Sequence, residues 1–171
     1  MDKATEREFT AFVTERSQAL LRVAYVLCGD QHAAEDLLQG ALAKAAAKWS
    51  TITGEAEHYV RRILYRDFIN SWRWRRRRPE RTTGRLPEPA GGADHADQTV
   101  LRLQIRAALA TLPPRQRAVL VLRYLEDLTE PQVAEILGCA PGTVASQASR
   151  ALAKLRAQAT SGSKSLEEVT P

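Results

Sequence analysis

Cysteine, histidine and aromatic residues are scarce in this sequence. Its 171 residues include two cysteines and three histidines, and 6% are aromatic. Cys28 and Cys139 stand far apart and each alone, so neither a disulfide framework nor a cysteine-rich zinc site is supported. They read as small apolar residues of helical cores. His32, His58 and His95 lie far apart, with no cysteine or paired-carboxylate constellation, so no catalytic group and no metal site is expected. Glu35 and Asp36 are adjacent acids on a helix and point different ways. No stretch of about 20 apolar residues could cross a bilayer, and no N-terminal apolar run looks like a signal peptide. The expectation is a cytoplasmic non-enzyme with no cofactor and no membrane insertion.

What is present favours helices. Hydrophobic residues make up 44% of the chain, and alanine and leucine dominate them. Both lose little rotamer freedom in a helix. The length suits one ordinary domain or two small ones. Apolar residues recur at helical spacing over 6–27 (Phe9, Phe12, Val13, Leu20, Val23, Ala24, Leu27). Gly29-Asp30 breaks the chain, with Asp30 a plausible N-cap. A second helix over 31–49 carries Ala34, Leu37, Leu38, Ala41, Leu42, Ala45 and Trp49, and a third is expected over 55–77. Residues 79–97 lose all periodicity among Pro, Gly, Glu, Asp and Thr, the composition of a flexible linker. Its length argues for a domain boundary.

Four shorter helices follow. Val100, Leu101, Ile105, Ala108 and Leu112 mark the first, closed by Pro113-Pro114. The second covers 115–125, with Val119, Leu120 and Leu122 inward. The third opens on a Thr129/Gln132 capping box, buries Val133, Ile136 and Leu137, and stops at Gly138. The fourth runs from 141 to 157, with Val144, Ala148, Ala151, Leu152 and Leu155 inward. A polar tail, expected to be mobile, occupies 158–171. The expected architecture is all-α: two small helical domains, 1–78 and 98–157, joined by the linker.

The net charge of +5 becomes informative through its distribution. Residues 61–81 hold nine arginines against Asp67 and Glu80. On a helical wheel Arg62, Arg66, Asn70, Arg73 and Arg77 form one row, opposite Val60, Ile63, Leu64, Phe68 and Trp72. A row of cations matches a row of phosphates, and the Trp-Arg-Trp-Arg run at 72–75 offers stacking surfaces for unpaired bases. A solvated helix end, a membrane-surface patch or a calmodulin-like target is the competing reading. Residues 129–156 have the form of a helix-turn-helix, whose second helix can lie in a major groove. Its outward set is Thr143, Ser146, Gln147, Arg150 and Lys154. Gln can bond adenine twice, Arg guanine twice, and Ser or Thr can reach phosphates or base edges. An ordinary αα-hairpin with a solvated polar face is the plainer reading.

Taken together, these blocks resemble the extracytoplasmic-function (ECF) group of the sigma-70 family of RNA polymerase sigma factors. The resemblance spans residues 6 to 157. Residues 34–39, Ala-Glu-Asp-Leu-Leu-Gln, look like the region 2.2 helix, which implies that Asp36, Leu37 and Gln39 dock on the β′ clamp of core RNA polymerase. Residues 59–78 look like regions 2.3 and 2.4, which implies that the Arg62–Arg77 row binds the −10 element. Residues 112–124 resemble region 4.1. Residues 134–156 resemble region 4.2, which implies −35 recognition by the outward set. The family analogy makes residues 50–55 a pocket for a flipped base, and passes the acidic linker (Glu80, Glu88, Asp94, Asp97) near the active cleft and RNA exit path. Core polymerase, through its β′ and β subunits, and promoter DNA are the implied partners. An anti-sigma factor is implied by family habit alone. The Ala- and Arg-rich usage is actinobacterial-like.

Two departures stand out. Relatives often read Gly-Thr-Val-Lys-Ser-Arg where this chain has Ala145 and Gln147, which removes two charges expected near phosphate. Arg66 and Asn70 stand where many relatives carry Asn and Asp. Two other readings compete: a dimeric helix-turn-helix operator-binding regulator that never touches polymerase, and a recombinase with a C-terminal helix-turn-helix. The latter needs a nucleophile, and Ser17 and Tyr25 lie within or beside an apolar stripe.

Overall fold

The computed structural model describes the backbone of residues 2–75 and 93–167, and the side chains of residues 2–71 and 100–160. Within these limits all regular structure is helical. Helix α1 spans Lys3–Cys28. Asp2 caps it, its carboxylate accepting from the Thr5 N–H at 2.8 Å. That backbone hydrogen bond holds the Asp2 carboxyl below the usual carboxylate range. Gly29 ends the helix at φ +75°, a left-handed position that glycine occupies without a Cβ clash. Asp30 then caps α2 (Gln31–Ala46), accepting from the Ala33 N–H at 2.8 Å.

Helix α2 stops three residues short of the Trp49 expected from its apolar stripe. Trp49 instead opens a 3₁₀ turn, Trp49–Thr51. Its ring packs on Phe9 and Phe12 of α1, at centroid distances of 5.0 and 5.1 Å, and this contact bends the chain out of the α2 axis. Helix α3 spans Ala56–Arg75. The first core joins Leu20, Ala24 and Leu27 of α1, Ala34, Leu38, Ala41 and Ala45 of α2, and Val60, Leu64, Tyr65 and Phe68 of α3. The alanines of α2 let its backbone approach both neighbours closely.

Helix α4 spans Ala93–Ala110. It begins inside the stretch expected to be linker, so residues 93–97 are helical; residues 79–92 of that stretch lie outside the described residues. Packing divides the chain into two compact units, Met1–Ala110 and Thr111–Pro171, which groups α4 with the first. Of the apolar stripe expected to be core, Leu112 is buried but the residues of the stripe before it are not. Val100, Leu101 and Ile105 are 52%, 56% and 50% exposed. The reason lies in which face makes contact. Arg106 faces α1, with its guanidinium 4.0 Å over the Tyr25 ring, and Ile105 sits about 100° round the helix from it.

In the second unit α5 spans Pro114–Leu120, with Pro114 at its first position. There its missing N–H costs nothing. One π-helical turn, Val121–Leu125, continues it, closed by the Glu126 N–H on the Val121 carbonyl at 3.0 Å. The wider turn keeps Val121 and Leu122 buried and sends Tyr124 and Leu125 outward. Helix α6 spans Glu130–Leu137 and shows the expected capping box. The Thr129 N–H donates to Gln132 Oε1 at 2.8 Å, and the Gln132 N–H donates to Thr129 Oγ1 at 3.4 Å. Gly138 closes α6 at φ +64°.

Helix α7 spans Pro141–Glu167 and so runs ten residues into the expected tail. Ala157, Gln158 and Ala159 are good helix formers and continue it. The second core joins Leu112, Ala118 to Leu122, Val133, Ala134, Ile136, Leu137, Val144, Ala148 and Ala151.

Candidate nucleic-acid interface

The recognition surface of the second unit follows from how α7 is fixed. Val144, Ala148 and Ala151 are buried, and their spacing of four and three leaves the opposite face outward. Ser146 and Arg150 are exposed on it, while Thr143 and Gln147 are half-buried. Ser146 Oγ donates to the Thr143 carbonyl at 3.0 Å. Helix α6 braces α7 from behind with Val133, Ala134, Ile136 and Leu137. Lys154 is exposed, yet its ammonium donates to the Thr111 carbonyl at 2.7 Å, beside the Thr111–Gln158 pair at 2.9 Å. Four of the five expected residues therefore occupy the first three turns of α7, and the fifth is tied to the chain entering α5.

The basic row on α3 is partly described. Arg66 and Asn70 are exposed and Arg62 is half-buried, so this part of the row faces outward. Arg73 lies on the helical backbone but its side chain is outside the described residues, as is all of Arg77. Trp72 and Trp74 have no described side chains either. Two neighbouring cations are engaged elsewhere. Arg61 donates to Glu57 at 2.8 Å, and the same carboxylate meets Arg16 at 3.3 Å. Lys44 meets Asp67 at 2.7 Å. These pairs remove Arg61 and Lys44 from the set of cations offered to a polyanion and leave Arg66 in it.

On α2, Asp36 and Gln39 are exposed and Leu37 is half-buried. Asp36 and Gln39 are three residues apart, hence neighbours on the outer surface. The neighbouring Glu35 is engaged by Gln31 at 2.6 Å. The loop 50–55 exposes Ser50, Thr51, Thr53, Gly54 and Glu55 and half-buries Ile52, and Gly54 adopts φ +105°.

Three features escaped the sequence reading. Tyr65 is fully buried in the first core, and burial pushes its hydroxyl well above the ordinary phenol range. Arg117 is 3% exposed inside the second core, donating to the Leu112 carbonyl at 3.4 Å. Arg106 binds Tyr25. An apolar-periodicity reading assigns charged residues outward, so only the partner rings and carbonyls could have revealed the two arginines. For Tyr65, the signal was its place beside Leu64 on the apolar side of α3. Among the described residues, no group of three or more His, Cys, Asp or Glu could hold a metal ion, and no helix is long and apolar enough to cross a membrane.

Known proteins match this arrangement in both units. The family model for sigma-70 region 2 matches residues 12–78, and that for sigma-70 region 4 matches residues 102–155. The RNA polymerase sigma-E factor of Streptomyces coelicolor is 41% identical over 154 residues, covering 87% of this chain and 84% of the relative. The chain belongs to the ECF sigma factors of the sigma-70 family. An ECF RNA polymerase sigma factor of Mycolicibacterium smegmatis is 30% identical over 164 residues, covering 91% of this chain and 63% of that one. Among solved structures, the sigma factor RpoE of Bartonella quintana, crystallised with the anti-sigma factor NepR, matches with a TM-score of 0.68 and 28% identity over 88% of this chain and 95% of that one. As a sigma factor the chain is a non-enzymatic initiation factor that works with RNA polymerase at promoter DNA. This sets aside both the recombinase and the regulator that never meets polymerase.

Proposed function

We propose that three surfaces divide the work of this sigma factor in the cytoplasm. Asp36, Leu37 and Gln39 on α2 dock on the β′ clamp of core polymerase. Arg62, Arg66 and Asn70 on α3, continued by Arg73 and Arg77, hold the backbone of the −10 element. Thr143, Ser146, Gln147 and Arg150 on α7 enter the major groove at −35, with Lys154 contributing at the edge. The observation that carries this reading is the outward face of α7, whose inner side is fixed by Val144, Ala148 and Ala151. A rigid helix with a short polar face is what direct readout of base edges requires.

The loop 50–55 fits acceptance of an unstacked base. Its polar side chains are exposed, and unstacking costs only a few kcal/mol when the extruded base gains contacts. The Bartonella relative was crystallised with an anti-sigma factor, which supports a protein antagonist for this chain too. Run-off transcription with purified core polymerase and genomic fragments tests the assignment. The expected result is specific transcripts that depend on both elements, lost when the α7 face is substituted. No transcript and no association with core polymerase would refute it.

A further inference from the structure

Both ends of the 50–55 loop are fastened to one helix, by residues that belong to none of the three surfaces above. At the start of the loop the Trp49 ring packs on Phe9 and Phe12 of α1, at centroid distances of 5.0 and 5.1 Å. Just past its end, in the first turn of α3, the Glu57 carboxylate meets Arg16 of α1 at 3.3 Å through one oxygen and accepts from Arg61 at 2.8 Å through the other. Phe9, Phe12 and Arg16 follow one another at spacings of three and four, so they form a single stripe of α1. All three aromatic rings are half-buried, at the margin of the first core rather than inside it.

The segment between these anchors arches away from α1. Phe9 and Arg16 lie about 10 Å apart along the helix axis, whereas the chain from Trp49 to Glu57 could reach about 26 Å if extended. The first half of the arch is folded back on itself. The Thr51 N–H and hydroxyl both donate to the Lys48 carbonyl, at 2.9 and 2.8 Å, and the Ile52 N–H donates to the Trp49 carbonyl at 3.2 Å. Gly54 then turns the chain at φ +105°, and Thr53, Gly54 and Glu55 stay exposed. A loop held at both feet has less conformational freedom to lose when it takes up a ligand. The α1 stripe therefore acts on the crown of the arch without being part of it.

We propose that Phe9, Phe12 and Arg16 are positioning residues for base capture: their stripe holds the 50–55 loop in its receptive shape, and so favours promoter opening from a place that touches no DNA. The proposal rests on the reading of that loop as the pocket for an unstacked base. It separates two roles that a simple loss of activity would merge. A stripe that only stabilises the first unit matters equally on every promoter. A stripe that shapes the pocket matters only when there is a base to capture.

The test reconstitutes core polymerase with each full-length variant and measures binding to promoters that carry one abasic site, moved through the non-template strand of the −10 element. With wild type, one abasic position should weaken binding and so mark the captured base. Phe9→Leu combined with Phe12→Leu should weaken binding to the intact promoter by roughly two- to tenfold, the range an aromatic pair supports. The same variant should match wild type on the promoter that lacks the captured base. Arg16→Ala changes a side chain that is 45% exposed and leaves the core intact. It should show the same pattern at about twofold, with Arg16→Lys restoring the wild-type value. Affinity for core polymerase and the loss caused by −35 substitutions should stay at wild-type levels throughout. An equal loss on intact and abasic promoters overturns the proposal, and so does the absence of any loss in both variants. If no abasic position affects wild type, the reading of the loop as a base pocket fails, and that outcome is distinct from both.

Discussion

Arg66 and Arg61 sit five residues apart on α3 and should behave oppositely in a salt titration. Arg61 is committed to Glu57 at 2.8 Å, on a carboxylate that also meets Arg16. Arg66 is exposed on the outward row. Each neutralised phosphate contributes about 0.9 to the slope of log affinity against log salt for duplex DNA, and about 0.7 for a single strand. Arg66→Ala should therefore flatten the slope of holoenzyme–promoter binding by about 0.7 to 0.9. Over a fourfold rise in salt, the gap between wild type and variant should shrink by about threefold. Arg61→Ala should leave the slope unchanged and cost stability instead, at most about 1 kcal/mol for a partly exposed pair. Fluorescence anisotropy of labelled promoter with reconstituted holoenzyme, from 50 to 200 mM KCl, reads the slope; urea unfolding reads the stability. An unchanged slope for Arg66→Ala, or an equal loss for Arg61→Ala, would refute the placement of the row.

Three further outcomes follow from the same geometry. Thr129→Ala removes the α6 cap and should cost about 1 kcal/mol in urea unfolding, with weaker −35 binding as α7 loses its brace. Arg150→Ala should cost about 1–3 kcal/mol of discrimination at one −35 position in a binding competition against base-substituted promoters, whereas Lys154→Ala should relax no position, because its ammonium is held by the Thr111 carbonyl. Tyr65 has its folded pKa raised by burial, so above about pH 10 the unfolded chain loses that proton first and stability falls as pH rises. Tyr65→Phe should flatten that alkaline fall when urea midpoints are compared from pH 8 to 11.

Legibility in the sequence tracked how local each determinant was. The Asp30 cap, the Thr129/Gln132 box and the Gly138 stop depend on a few adjacent residues, and each was readable as a pattern. The inner face of α7 was equally plain, because Val144, Ala148 and Ala151 pack against the neighbouring α6 and α5. Ends were harder. Helix α7 continues through Glu167 because nothing at residues 157–159 forbids it, while α2 stops at Ala46 because Trp49 finds two phenylalanine rings on α1.

Helix α4 marks where a periodic reading fails. Val100, Leu101 and Ile105 repeat at helical spacing, and periodicity correctly gave a helix. Periodicity does not say which face meets a partner. Here a single arginine outcompetes the apolar stripe, because Tyr25 and Gly29 offer it both a π face and a carbonyl. The candidate site shows the same division. The outward set on α7 was legible because it is the complement of a locally determined core. Which of its members are placed to read bases was not, since the Lys154 ammonium also donates to a carbonyl 43 residues away. On α3 the helical wheel already sets Arg61 off the row that holds Arg66, and the Glu57 carboxylate one turn earlier engages Arg61 as well. Charge patterns therefore locate the face that meets a polyanion, and tertiary hydrogen bonds decide how many of its cations remain available.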